Sequence, residues 1–229
     1  DTVGVTFDGI NGRWAYMKLM GGNETVESIM DLTSGAVIEN RESETLSTAA
    51  TLTINGTSDS RISAYLRNNA YNQYASLDPT PDATELTNYN TAPLSLAKQG
   101  ASTLSLVGTN IYYGGTTTVS GGTLLLDGAT RFRSNITNNA AVIVNFNSGT
   151  WNFNYDHDGD QTLTNAPVGY TPTALVNLSI TGSGSLTKTG LGIFNLASNN
   201  TFGGGVRVAE GVLVLGGNST LTVDITVSR

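Results

Sequence analysis

The chain has 229 residues, no cysteine and a net charge of −7, with only 13% of its residues charged. This excludes a disulfide scaffold and any thiolate metal or redox centre. An acidic chain with no basic stripe is not a nucleic-acid binder and is repelled by anionic membrane surfaces. No apolar run approaches the roughly 20 residues of a membrane-spanning helix, so no membrane insertion is expected.

Thr, Asn and Gly together fill 83 of the 229 positions. Thr favours pleated backbone, whereas Asn and Gly favour tight turns, so the mixture describes many short strands and little helix. The charge is uneven, −6 over residues 1–100 and −1 over residues 101–229. The chain opens on Asp1 with neither an initiator Met nor a signal peptide, which reads as a processed or excerpted segment.

In chain order, Val3, Val5 and Phe7 alternate, and strand-like segments follow at 14–17, 26–30, 36–38 and 52–54. The repeat is least clear over residues 1–60, as expected of N-terminal coils that must cover a core instead of passing it on. The alternation stops over residues 67–93, a polar stretch carrying Tyr71, Tyr74 and Tyr89, with Tyr65 just before it. A loop of this length usually has a task. Tyr among Asn and Gln gives contact area at low entropic cost, so these three tyrosines are candidate contacts for a partner subunit or a glycan. The plain alternative is a loop folded over its own flank.

From residue 95 the pattern becomes regular. Leu104, Leu124 and Val144 are spaced by twenty, as are Leu106, Leu126 and Phe146. A second, shorter excursion covers residues 155–173, and then residues 185–217 repeat residues 95–128. Lys98, Gly100, Leu104, Leu106 and Asn110 fall on Lys188, Gly190, Phe194, Leu196 and Asn200. Gly114–Gly115 falls on Gly204–Gly205, and Gly122–Leu126 on Gly211–Leu215 after one gapped residue. A constant period with inward residues in register predicts one all-β domain over 1–229. It is a parallel β-helix (β-solenoid) of roughly ten rungs, about 50 Å long at the usual ladder spacing, with one long loop excursion. A β-sandwich competes, since it too has many short strands, but it has no need of a long-range repeat in register.

The series Gly-Ser-Leu-Thr-Lys-Thr-Gly at 184–190, Asn-Asn-Thr-Phe-Gly-Gly-Gly at 199–205 and Glu-Gly-Val-Leu-Val-Leu-Gly at 210–216 resembles the autotransporter-associated β-strand repeat. That repeat occurs in passenger regions of bacterial autotransporter-like surface proteins. Residues 95–128 carry the same pattern, with an extra residue within 116–121 and Tyr112–Tyr113 where one aromatic is usual. The resemblance implies a right-handed β-helix and export to the cell surface or medium. It also implies a structural, adhesive or secretion-assisting role, with a translocator barrel further along a full-length protein.

Chemistry-bearing clusters are few. Asp156, Asp158 and Asp160 alternate around Gly159, a pattern able to converge on Ca²⁺. A solvated acidic turn explains them as simply, and no other cofactor is expected. His157 is the lone histidine, without the partners that acid–base or zinc chemistry requires. Parallel β-helices also host polysaccharide lyases and hydrolases, but no acid pair recurs at rung spacing here. The chain therefore reads as a non-catalytic, secreted structural subunit that self-associates head to tail into a fibre or surface layer. Contacts are expected through Val3, Val5 and Phe7 at one end and Val223, Ile225 and Val227 at the other. A glycan- or matrix-binding passenger adhesin and a polysaccharide-acting enzyme are the alternatives.

Overall fold

The computed structural model describes residues 3–9, 14–40, 48–63, 65–68, 92–109, 111, 113–155, 176–222 and 225–228. No helix occurs among them, and the strands line three sides of one continuous apolar core. The first side is a nine-stranded parallel sheet of β1 (Val5–Phe7), β4 (Ile29–Asp31), β7 (Ser60–Ile62), β10 (Thr103–Val107), β12 (Thr123–Asp127), β14 (Ala141–Asn145), β19 (Ser185–Thr189), β22 (Val206–Val208) and β25 (Ile225–Val227). The second is an eight-stranded parallel sheet of β3 (Glu24–Val26), β6 (Ala50–Asn55), β9 (Leu94–Gln99), β11 (Thr117–Val119), β13 (Ile136–Asn138), β18 (Ile180–Gly182), β21 (Thr201–Phe202) and β24 (Thr220–Leu221). The third side is divided. Its first part is β2 (Ala15–Lys18), β5 (Ala36–Glu39) and β8 (Tyr65–Arg67), extended by a bridge from Leu66 to Ile111. Its second part is β15 (Thr150–Asn152), β20 (Ile193–Leu196) and β23 (Val212–Leu215). Every strand pair in these sheets is parallel, and the chain visits the three sides in constant order, which makes the molecule a parallel β-helix; a separate antiparallel pair, β16 (Asn154–Tyr155) with β17 (Val176–Asn177), lies between β15 and β18 in the chain.

Alternation explains why these segments are strands. In β10, β12 and β14 every second residue is inward and buried, namely Leu104 and Leu106, Leu124 and Leu126, and Val142 and Val144. The residues between them lie on the outer face. Burying each such side chain contributes about 1.5–3 kcal/mol.

The structure corrects the expected register in four places. Leu104 lies beside Leu124 and Leu106 beside Leu126, twenty residues on. The next coil is shorter by two, so Val142 and Val144, not Val144 and Phe146, lie beside Leu124 and Leu126. Residues 26–30 are not one strand: they end β3 and begin β4 on adjacent sides, with Glu27 and Ser28 at the corner. The alternating run from Leu221 to Val227 likewise divides between β24 and β25. The fourth difference is the count. The first sheet has nine strands among the described residues, against roughly ten rungs expected, which makes the rod about 40 Å long. β6 pairs directly with β9 and β13 with β18, so residues 69–91 and 156–175 add length to the chain but no coil to the second sheet.

The two repeat copies also differ in placement. Lys98 is on β9 in the second sheet, whereas Lys188 is on β19 in the first. Leu104 is on the first side and Phe194 on the third, and Leu124 and Leu213 differ in the same way. Each element of the second copy therefore sits one side further round the helix. The repeat is a unit of corner and strand that fits more than one side.

On the third side the first coils depart from alternation, because all four residues of β5 and all three of β8 are buried. Lys18, Glu39 and Arg67 are lateral neighbours on three successive coils. Arg67 donates from Nε to Glu39 Oε2 at 2.9 Å, and its Nη2 lies 2.8 Å from the same oxygen, with Lys18 Nζ 3.7 Å from Oε1. Glu39 and Arg67 are fully buried, so removing one partner strands the other charge in the core. Arg67→Met is expected to destabilise the fold by about 3–5 kcal/mol, and the double variant Glu39→Met/Arg67→Met by much less. Urea denaturation of the two variants checks the difference.

Candidate functional site

Three features of the described residues bear on function: the ends of the stack, the corners that carry lysine, and the outer face of the second sheet. The ends are unlike one another. At the C-terminal end β23, β24 and β25 are each the last strand of their sheet. Ile225 and Val227 continue the inward columns of Val206 and Val208, and Leu221 continues that of Phe202. They are exposed, by 46%, 69% and 36%. Val212 and Val214 on β23 add to the same apolar margin. At the other end Phe7, Leu19 and Val26 are buried, Val5 is half-buried, and Val3 is exposed. Trp14 packs edge-on against Tyr65 there, with ring centroids 5.4 Å apart. Of the expected end contacts, then, Val3, Ile225 and Val227 present surface, and Phe7 belongs to the core.

Lys98 and Lys188 are fully buried in inward columns, each with aliphatic neighbours on the coils to either side. Lys98 lies between Ile54 and Val119, and Lys188 between Val144 and Val208. Each ammonium is satisfied by carbonyls at the corner that follows its strand. Lys98 Nζ donates to Gln99 O, to Gly100 O at 3.1 Å and, from the next coil, to Gly121 O at 3.4 Å. Lys188 Nζ donates to Thr189 O at 2.5 Å, to Gly190 O at 2.7 Å and, from the previous coil, to Phe146 O at 3.4 Å. Gly100 and Gly190 turn both corners with φ of +65° and +75°, and a Cβ at either would strike a neighbouring coil's carbonyl. The parity that makes Leu94 and Leu96 inward also makes Lys98 inward. This is the signal by which sequence reasoning, which treated both lysines only as repeat markers, would have found a buried cation.

The outer face of the second sheet carries a column of threonines. Thr25, Thr53, Ala97, Thr118, Thr137, Thr181, Thr201 and Thr220 are lateral neighbours on eight successive coils. The equivalent column of the first sheet is mixed and includes Met30, Arg61, Leu125, Ile143 and Arg207. Beside the threonines, polar side chains tie one coil to the next. Asn23 Oδ1 accepts from Thr51 N, Asn135 Oδ1 from Ser179 N and Asn199 Oδ1 from Asn218 N, all at 2.8–2.9 Å. Tight Thr–Thr and Asn–amide ladders hold the coils together without adding apolar surface to this side.

Asp156, His157, Asp158 and Asp160 lie outside the described residues, as do Tyr71, Tyr74, Tyr89 and Val223. Two regular segments remain, and both are recognisable. Residues 96–126 and 186–215 each match the family model of the passenger-associated-transport-repeat. The match falls on the two segments whose similarity to each other is legible in the sequence, and both are built into the parallel β-helix. No curated protein and no solved structure matches the chain.

Burial holds the ammonium groups of Lys98 and Lys188 below the ordinary lysine value of 10.5, with the carboxylates of Asp59 and Glu210 opposing the shift. The unfolded chain therefore binds more protons than the folded one between the lowered value and 10.5, and these lysines make stability rise with pH across that window. Denaturation midpoints of the native chain and of Lys98→Met/Lys188→Met, measured from about pH 8 to about pH 10, should diverge. The native chain gains on the variant as pH rises.

Proposed function

We propose that this chain is a non-catalytic structural segment of a secreted or surface-exposed passenger protein, and that copies of it extend end to end. The observation that carries the passenger reading is the pair of passenger-associated-transport-repeat matches built into a parallel β-helix, and end-to-end extension is suggested by the inward apolar columns that reach Leu221, Ile225 and Val227. Unpaired strand edges with exposed apolar side chains are templates for further strands. An in-phase successor would set its β1 beside β25, its β3 beside β24 and its β2 beside β23, continuing all three sheets. Such a contact joins different surfaces of the two copies, so it does not close and generates a filament. The passenger-associated-transport-repeat supports surface location, and the absence of charge along the threonine column agrees with a structural shaft.

Electron microscopy of the untagged protein at high concentration tests this. Filaments with a subunit repeat near the rod length are expected, and they should be lost in Ile225→Lys/Val227→Lys while the melting temperature of the single rod changes little. Dispersed rods from the native chain under the same conditions overturn the self-assembly reading. They shift the proposal to a passenger adhesin that contacts a glycan or matrix partner through Tyr71, Tyr74 and Tyr89.

A further inference from the structure

We propose that Lys98 is a register lock: a buried ammonium group that admits only one strand register where the chain re-enters the stack after a long interruption. The described coils are interrupted twice at length, between Asn68 and Ala92 and between Tyr155 and Val176. The two repeat segments begin just after these interruptions, at residues 96 and 186. Lys98 lies on β9, the first strand after the first interruption, whereas Lys188 lies on β19, two residues after β18, and the second interruption is closed at its base by the antiparallel pairing of Asn154–Tyr155 with Val176–Asn177. Of the strands that follow short corners, β10, β12 and β14 have aliphatic inward residues only, whereas β4, β7, β11, β13 and β19 bury Asp31, Ser60, Thr117, Asn138 and Lys188.

The need for a lock follows from the period of a strand. A slip by one residue turns every inward side chain outward and is rejected by the hydrophobic pattern. A slip by two keeps the parity, so Leu94, Leu96 and an aliphatic residue at 98 would still face the core. The pattern alone does not reject it. Short corners prevent it by their length, but 23 residues between Asn68 and Ala92 leave slack to absorb it. A buried lysine removes this degeneracy. In the native register its ammonium reaches the corner, where one of the three accepting carbonyls belongs to an adjacent coil: Gly121 for Lys98. A two-residue slip moves β9 by about 6.6 Å along β6 and breaks the match between Lys98 and its corner and neighbouring coil. A buried charge without acceptors is strongly disfavoured, and a buried polar group is a known means of specifying register at some expense of stability. The re-entry amides are held too, Leu94 N by Asn68 Oδ1 and Ile180 N by Asn200 Oδ1, but these bonds fix one point of the backbone without testing what occupies the core.

The native chain has no cysteine, so register is readable by introduced pairs. Thr53→Cys with Ala97→Cys reports the native register, since these residues are lateral neighbours. Asn55→Cys with Ala97→Cys, and Thr51→Cys with Ala97→Cys, report slips by two in either direction, because in the native register these pairs lie beyond about 7 Å. Each full-length variant is unfolded under reducing conditions, refolded and then oxidised, and its cross-links are mapped. With Lys98 present only the first pair should close. With Lys98→Met a slipped pair should close at least about tenfold more often, and shortening residues 69–91 in that variant should return it to the native level. In-register cross-linking alone in Lys98→Met overturns the proposal. So does slippage that the shortened connection fails to suppress, or a Lys98→Met chain that fails to fold with either connection. Each of these assigns the lysine to stability instead of register.

Discussion

A single coil of this molecule has nothing to bury its apolar residues against except the coils on either side. That constraint governs the rest of the structure. It requires that inward side chains recur at the same lateral position on successive coils, as Leu104, Leu124 and Val142 do. It also makes every coil dependent on its neighbour for both backbone hydrogen bonds and core contacts, so cohesion is local and additive along the rod. The consequence appears at the C-terminal margin, where side chains that would be core in any other coil are surface.

The corners carry what the strands cannot. Most strands, of two to six residues, share one alternating pattern, and the corners do much to distinguish one coil from another. The two lysine corners illustrate this, because the same combination of Lys, a positive-φ Gly and a following apolar strand works between the second and first sides for Lys98 and between the first and third sides for Lys188. Two of the three carbonyls that accept from each lysine belong to its own corner and the third to an adjacent coil, an arrangement available on more than one side. This is a physical reason for a repeat to recur one side further round.

The outer faces show a division of labour. On the second sheet, threonine and asparagine columns run from coil to coil and present no large apolar side chain beside the threonines, whereas exposed large apolar side chains lie toward both ends of the stack, among them Val3, Met20 and Leu32 in the first coils and Leu191, Val212 and Val227 in the last. The ladder of exposed Lys18 and buried Glu39 and Arg67 lies on the opposite kind of surface, a third side whose strands β5 and β8 are covered on both faces.

The parallel β-helix, the inward parity of its strands and the position of both repeats were legible in the sequence, because alternation and a period near twenty are properties of neighbouring residues. The strand-like segments of the first sixty residues were legible for the same reason, though β5 and β8, buried on both faces, show no alternation and blurred the repeat there. Legibility ended wherever a residue's role depended on the coil beside it. The two-residue shortening that sets Val142 beside Leu124, the rotation of the second repeat by one side, the cage around Lys98 and Lys188, and the division of residues 221–227 between two sheets were decided by tertiary structure. Sequence by itself determined which residues face inward and how often the chain turns. Only the stacked structure decided which inward residues meet, because lateral register is a relation between coils and is written in no single one of them.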